Sequence, residues 1–225
     1  VHHVHRQFGQ VFVAVGGGKV PPSLLTLATQ YDLPVYEGYG LSEASPVVSL
    51  NPHDRVKYCS VGKPLPGVAV RITDEQGQDL PVGEIGELLV QGPNVMLGYY
   101  NLPEATADTL RQGWLHTGDM AYMDSDGYLF IVDRLKDMII ASGENIYPRE
   151  IEELLYAHPG IGEAAVIGIP DELRGTIVRA YVVPREGQTL DVRQVKRYLQ
   201  PQLAAYKIPR EIVVTDNLPK NATGK

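Results

Sequence analysis

Cysteine is nearly absent from this chain. Of 225 residues one is a cysteine, Cys59, which excludes an internal disulfide and fits a reducing compartment such as the cytoplasm. A lone thiol of this kind reads as a small, half-buried apolar side chain. Long apolar runs are missing as well: no uninterrupted stretch could span a bilayer, and the opening "VHHVHRQFGQ" lacks the basic-then-apolar layout of a signal peptide. Basic residues are the minority, 20 Lys and Arg against 27 Asp and Glu, giving a net charge of −7. That argues against nucleic acid as the partner, because such binders carry a basic face. It leaves room for anionic small molecules, which a few local cations and backbone N–H groups can hold. No transmembrane segment is therefore expected; no basic amphipathic helix speaks for a membrane surface, and peripheral membrane contact stays open. His2, His3 and His5 cluster at the start, but no second group of metal-ligating residue types supports a metal there. Internal repeats, low-complexity stretches and a G-x-x-x-x-G-K-[ST] phosphate loop are all absent.

What is present is an ordinary globular mix, 44% hydrophobic and 21% charged, long enough for one large domain or two smaller ones. The chain begins without an initiator Met, and "VFVAVGGG" reads as a buried strand over 11–15 that ends in a glycine turn, as in the middle of an α/β domain. An N-terminal portion is therefore expected to precede it. Pro21 and Pro22 suit the start of a helix near 22–31, and a short strand follows in "PVYEGYG". Strands in "GVAVRITDEQGQDL", "GEIGELLVQG" and "GYLFIVDR", punctuated by Gly and Asp-Gly turns, predict a β subdomain over 55–133. After "VDRLKD" the pattern changes. "PREIEELLYAH" predicts a helix with Ile151, Leu154 and Leu155 on one face, "EAAVIGIP" and "VRAYVVP" predict strands, "DVRQVKRYLQPQL" a helix and "REIVVTD" a strand. The expected class is α/β plus α+β: an α/β part (1–54) and a β subdomain (55–133), a joint at 134–136, then a small α+β domain over 137–225.

Two stretches concentrate residues able to carry chemistry. In "VYEGYGLSEASPVVSLNP", Gly38 and Gly40 permit close backbone approach to a flat ligand and Tyr39 offers a ring for a base. Ser42 can donate to a phosphate oxygen, and Glu43 is a hard oxygen ligand of the kind Mg²⁺ accepts. Taken alone the stretch is also a turn with a helix cap. In "GWLHTGDMAYMDSDGYLFIVDRLKDMIIASGENIYPREIEELL", Asp119 follows a tight turn and could accept from two ribose hydroxyls, while Arg134 at a strand end could reach a ribose or phosphate. An Asp119–Arg134 ion pair explains the same residues. Trp114 and His116, just upstream, suit packing and turn shaping. Lys225, in the closing "NLPKNATGK", taken alone reads as a solvated terminal lysine.

Taken together these stretches, with "VGGGKVP", "GELLVQGPNVMLGYYNLPEAT", "GWLHTGD" and "LPKNATGK" in order along essentially the whole chain, resemble the acyl-adenylate-forming superfamily and its acyl-CoA synthetase branch. "GPNVMLGYY", "DRLKDMIIASGENIYP" and "SEASPVVSLNP" look like long-chain fatty-acid–CoA ligases. The resemblance implies the C-terminal portion of a large AMP-binding domain followed by a small mobile domain. It implies ATP/AMP, Mg²⁺ and coenzyme A as cofactors, a carboxylic acid of the fatty-acid class as substrate, and reaction through acyl-AMP. By the same resemblance Tyr39 would stack on adenine beside the backbone of Gly16, Gly17, Gly18, Gly38 and Gly40. Ser42 would contact the α-phosphate, Glu43 would bind Mg²⁺, and Asp119 and Arg134 would hold the ribose. Lys136 would be the hinge, and Ser142 and Gly143 would line the pantetheine path after the swing. Arg174, Tyr206 and Lys207 would meet the nucleotide end of CoA. Lys225 would be the adenylation lysine, dispensable for thioester formation.

Departures from the family pattern matter too. The family's Ser/Thr/Gly-rich phosphate loop is not in this stretch, so these 225 residues alone are expected to lack adenylation activity. Ser42 stands where the family usually has Thr, which keeps the hydroxyl. Three readings remain: a fatty-acyl-CoA ligase; an adenylating enzyme for another acid or for a carrier protein; and a module that binds nucleotide or a partner without chemistry. The oligomeric state, a homodimer included, is open.

Overall fold

The computed structural model describes residues 13–16, 20, 22–31, 33 and 35–220. His2, His3, His5, Gly17, Gly18, Pro21 and Lys225 lie outside the described residues. Two compact units meet at Val132 and Asp133.

In the first unit, β1 (Val13–Val15) runs parallel to β2 (Val35–Gly40), with α1 (Pro22–Gln30) connecting them. β2 turns through a single 3₁₀ turn, Ser42–Ala44, into antiparallel β3 (Val47–Leu50), and β4 (Lys63–Pro64) pairs with β3. Gly40 is forced by this reversal. A Cβ there would lie 2.0 Å from the Pro46 carbonyl oxygen, because Leu41 N–H closes the turn onto that same carbonyl at 2.8 Å. The close approach of the Gly40 backbone is thus to its own chain. A second sheet follows: β5 (Ala69–Thr73), β6 (Gly86–Gln91), β8 (Trp114–Met123) and β7 (Leu110–Arg111) in that order, with β9 (Leu129–Arg134) on β8. A short helix, α2 (Pro103–Thr109), sits between β6 and β7. Ala44 from the 3₁₀ turn, Val48 from the first sheet and Ile72, Leu88, Val90, Leu115, Ala121 and Leu129 from the second share one core. Among the described residues this core draws from both sides of residue 54, and β4 returns across that point to pair with β3.

The "TGD" stretch, expected as a tight turn, lies inside the ten-residue strand β8. The register explains it. Glu87 pairs with Met120 and Leu89 with His116, so Leu88 faces three residues, Thr117 to Asp119, across a bulge. Gly118 takes φ +68 there, and Thr117 Oγ1 donates to the Leu88 carbonyl at 2.7 Å. A glycine at positive φ looks like a turn in sequence, and the strand absorbs it as a bulge.

The second unit opens on a 3₁₀ turn, Leu135–Asp137, and the hairpin β10 (Ile139–Ala141) and β11 (Glu144–Ile146). Ser142 (φ 55) and Gly143 (φ 82) form its two-residue turn, both residues in the left-handed region that such hairpins require. Then come α3 (Pro148–Ala157), the long hairpin β12 (Ile161–Asp171) and β13 (Gly175–Pro184), α4 (Val192–Leu199) and β14 (Glu211–Val214), which runs parallel to β13. Ile151 and Leu155 of α3 and Val195 and Leu199 of α4 are fully buried among Val166, Val178, Ala180 and Val182, with Leu154 packed partly against them. Asp191 caps α4 by accepting from Arg193 N–H. Gln200 keeps helical backbone (φ −51, ψ −46), and the helix ends there because Pro201 has no N–H to continue the ladder. The α/β plus α+β class read from the sequence is the class observed.

Candidate active site

The reversal from β2 to β3 gathers the first group of site residues. Gly16, at the end of β1, lies beside Gly38: a Cβ on Gly16 would stand 3.6 Å from the Gly38 carbonyl oxygen. One residue on, the Tyr39 hydroxyl donates to Asp119 Oδ2 at 2.6 Å. The β8 bulge sets that carboxylate. Asp119 N–H donates to Thr117 Oγ1 at 3.1 Å, and Glu87 accepts from Gly118 N–H through Oε1 and from His116 Nδ1 through Oε2. His116 therefore orients Glu87, which steadies the bulge that carries Asp119. The structure thus brings together Tyr39 and Asp119, which lie 80 residues apart in sequence.

Ser42 is exposed on the 3₁₀ turn and Glu43 half-buried beside it. Glu43 Oε1 accepts from the Tyr99 hydroxyl at 2.7 Å, and its backbone carbonyl accepts from Met96 N–H at 2.8 Å. The hydrogen bond to Glu43, and then burial, push the Tyr99 phenol above its usual range. Asn94 Nδ2 donates to the carbonyls of Ala44 and Val47. Tyr99 and Asn94 were not singled out from the sequence, although they sit in the quoted "GPNVMLGYY" stretch. A cleft of about 260 Å³ is lined by Glu43, Glu87, Tyr99, Arg111, His116 and Thr117, among others. Among the described residues no group of three or more His, Cys, Asp or Glu could hold a metal. A cation beside Glu43 would thus find few protein carboxylates, a donor set that fits Mg²⁺ carried largely by phosphate oxygens and water.

In the second unit, Arg134 ends β9 and Lys136 sits exposed in the following 3₁₀ turn. The buried Asp133 anchors this joint: Oδ1 accepts from Arg134 N–H at 2.8 Å and Oδ2 from Arg149 N–H at 2.9 Å, in the first turn of α3. A cleft of about 360 Å³ is lined by Ser142, Arg174, Lys196, Tyr206 and Arg210. Gly143 is at the tip of the hairpin beside it, where an added Cβ would meet nothing within 4 Å, so its demand is for positive φ alone. Lys207 points elsewhere. Its ammonium pairs with Glu150 at 2.6 Å, and it is not among the residues lining the cleft. Lys196 and Arg210 are further cations lining that cleft, and no motif in the sequence marked them.

Comparison with known proteins agrees with the motifs. Residues 3–100 match the model of the AMP-binding enzyme family, and residues 150–225 match the model of the AMP-binding enzyme C-terminal domain. A feruloyl-CoA synthase of Amycolatopsis sp is 46% identical over 212 residues, covering 93% of this chain and 43% of the relative. A long-chain-fatty-acid–CoA ligase of Yersinia pestis is 44% identical over 226 residues, covering 98% of this chain and 40% of the relative. The o-succinylbenzoate CoA synthetase of Bacillus subtilis, solved in complex with its acyl-adenylate intermediate, superposes with a TM-score of 0.89 at 35% identity, covering 100% of this chain and 47% of that one. The chain thus spans less than half the length of the relatives it matches. With both family models matched in order along one sequence, and a solved member superposing over its full length, the chain belongs to the AMP-binding enzyme family.

Proposed function

We propose that the protein is an ATP-dependent acid–thiol ligase. A carboxylate oxygen of the acid attacks the α-phosphorus of ATP and pyrophosphate leaves. The thiol sulfur of CoA then attacks the acyl carbon and AMP leaves. A free carboxylate is a poor acyl donor because its leaving group would be oxide. Joining it to AMP supplies a stable leaving group, and the cost is neutralising charge on the triphosphate.

The observation that carries the reading is the Tyr39–Asp119 hydrogen bond, one short turn from Glu43. It supports a nucleoside site in which Tyr39 lies against adenine, beside Gly16 and Gly38, and Asp119 accepts from the ribose hydroxyls. Ser42 then donates to the α-phosphate and Glu43 faces the metal. Mg²⁺, when bound there, would offset triphosphate charge. Arg134 adds a ribose or phosphate contact, and Lys225 meets the acyl carboxylate and α-phosphate in the first step. Lys136 is the pivot between the steps, a place where one or two residues absorb a rotation. Ser142 and Gly143 border the thiol path. The cationic cleft of Arg174, Lys196 and Arg210 beside Tyr206 suits the anionic end of CoA. Lys207 serves that cleft indirectly, by tying the Tyr206 turn to α3 through Glu150.

The motifs favour a fatty acid, and the relatives named for ferulate and o-succinylbenzoate make aryl acids the competing class. The test is a panel of palmitate, ferulate and o-succinylbenzoate with the full-length protein, ATP, Mg²⁺ and CoA, with thioester, AMP and pyrophosphate quantified. Thioester and AMP in equal amounts with one class of acid support the proposal and name the class. Nucleotide binding with no pyrophosphate release from any acid would replace it with a non-catalytic binding module.

A further inference from the structure

Glu43 does not stand by itself on its turn. The segment running out of β6 clasps it from one side through four hydrogen bonds: Asn94 Nδ2 to the carbonyls of Ala44 and Val47, Met96 N–H to the Glu43 carbonyl, and the Tyr99 hydroxyl to Glu43 Oε1. The clasp is itself braced. Tyr99 N–H donates to Thr106 Oγ1 at 2.9 Å, and that hydroxyl donates to the Leu102 carbonyl, so the first turn of α2 fixes where the Tyr99 backbone stands. Gly98, at φ +152, gives the room: a Cβ there would come within 2.7 Å of Thr106 Cγ2. At the other end, Asn94 Oδ1 is enclosed without a hydrogen-bond partner, 2.7 Å from where a Cβ on Gly92 would sit. An unsatisfied buried acceptor is destabilising, so a side chain held this way is held for what its amide nitrogen grips.

We propose that Tyr99 is a positioning residue for the first step: its phenol fixes the plane of the Glu43 carboxylate and thereby aims the oxygen that faces the metal-bound phosphates. The proposal rests on the reading of Glu43 as the metal-facing carboxylate. A free glutamate has three rotatable side-chain bonds, and ordering it against a cation is entropically unfavourable. A phenol that already holds Oε1 has removed part of that freedom before ATP arrives. Groups that orient a metal ligand in this way typically change metal affinity by 10–100-fold when removed. The part of Tyr99 that matters is one hydroxyl. Its ring packing should be separable from its function.

The experiment compares ATP affinity with Mg²⁺ and in EDTA, by calorimetry, for the wild-type protein, Tyr99→Phe, Glu43→Gln and the double variant. The wild type is expected to bind ATP more tightly with Mg²⁺. Tyr99→Phe should lose about tenfold of that preference while metal-free affinity stays within about twofold and the melting temperature is preserved. Glu43→Gln should abolish the preference, and adding Tyr99→Phe to it should change nothing further, since both act through one carboxylate. A Tyr99→Phe protein that keeps the full preference would reduce Tyr99 to packing and overturn the proposal while leaving Glu43 in its role. A Glu43→Gln protein that keeps the preference would remove Glu43 from the metal, and the proposal would fall with the reading beneath it. Thr106→Val, which leaves the phenol intact but loosens its backbone, should lower the preference by less than Tyr99→Phe does; a larger loss would contradict the proposed order of support.

Discussion

The hydroxyl of Tyr39 lies 2.6 Å from Asp119 Oδ2, joining strand β2 of the first sheet to a bulge in the second. A phenol donating to a carboxylate is a strong, oriented contact, and it fixes the ring as well as the acid. Tyr39→Phe keeps the ring and removes the tie. ATP affinity is expected to fall by about tenfold, in line with the loss of one hydrogen bond to a charged group. Tyr39→Leu, which removes the ring as well, should fall further. Equilibrium nucleotide binding checks both, and equal affinity for Tyr39→Phe and wild type would show that the tie is incidental.

Gly40→Ala tests the reversal that presents Ser42 and Glu43. The new Cβ would meet the Pro46 carbonyl oxygen at 2.0 Å, and backbone must shift to admit it. Such overpacking destabilises by about 1–3 kcal/mol, readable in urea unfolding. ATP binding should weaken as well, because the displaced turn carries the phosphate-facing residues. Full stability in Gly40→Ala would contradict the packing account.

Asp133 ties the end of β9 to the first turn of α3 by two N–H groups. Asp133→Ala strands both donors at a buried position and should cost about 1–2 kcal/mol, the usual worth of a helix-capping side chain. Asp133→Asn keeps one acceptor oxygen and should recover about half of that. Unfolding followed by a probe in the second unit reads the difference.

Glu152 on α3 offers a pH test. Burial pushes its carboxyl up, Val166 N–H donating to Oε1 opposes that, and the nearby charges of Asp133 and Asp137 add to the rise against Arg149. A carboxyl whose folded pKa is raised gives stability that is present below its unfolded pKa and lost as pH climbs through the folded value. Glu152→Gln keeps an acceptor for Val166 N–H and removes the titration. The variant should therefore melt higher than wild type at pH 7, and the gap should close as pH falls below the usual carboxylate range. A gap that widens in acid would contradict the assigned cause.

The residues singled out from the sequence were those whose chemistry is local. Ser42, Glu43, Asp119, Arg134 and Lys136 sit in short runs of unusual composition, and the amphipathic spacing of Ile151, Leu154 and Leu155 marks a helix face directly. Tyr99 and Asn94 were not legible, because their roles come from hydrogen bonds made 56 and 50 residues away. α2 was missed despite a usable signal, Pro103 at its first position and Glu104 in its first turn. Strand β8 was hidden by Gly118, whose positive φ serves a bulge and reads locally as a turn. The cationic cleft was half seen: Arg174 and Tyr206 were named, but Lys196 belongs to a helix whose charged face looks like ordinary solvated surface, and only the fold turns it toward Arg210, whose carbonyl its ammonium meets at 2.5 Å.

The central claim is that acid and ATP react before CoA takes part. Pyrophosphate–ATP exchange by the full-length protein, with labelled pyrophosphate, Mg²⁺ and each acid of the panel but no CoA, decides it. The account predicts acid-dependent exchange that Glu43→Gln suppresses by at least about a hundredfold, as expected when a metal-facing group is lost at a phosphoryl-transfer site. Exchange that requires CoA, or none with any acid while thioester still forms, would contradict it.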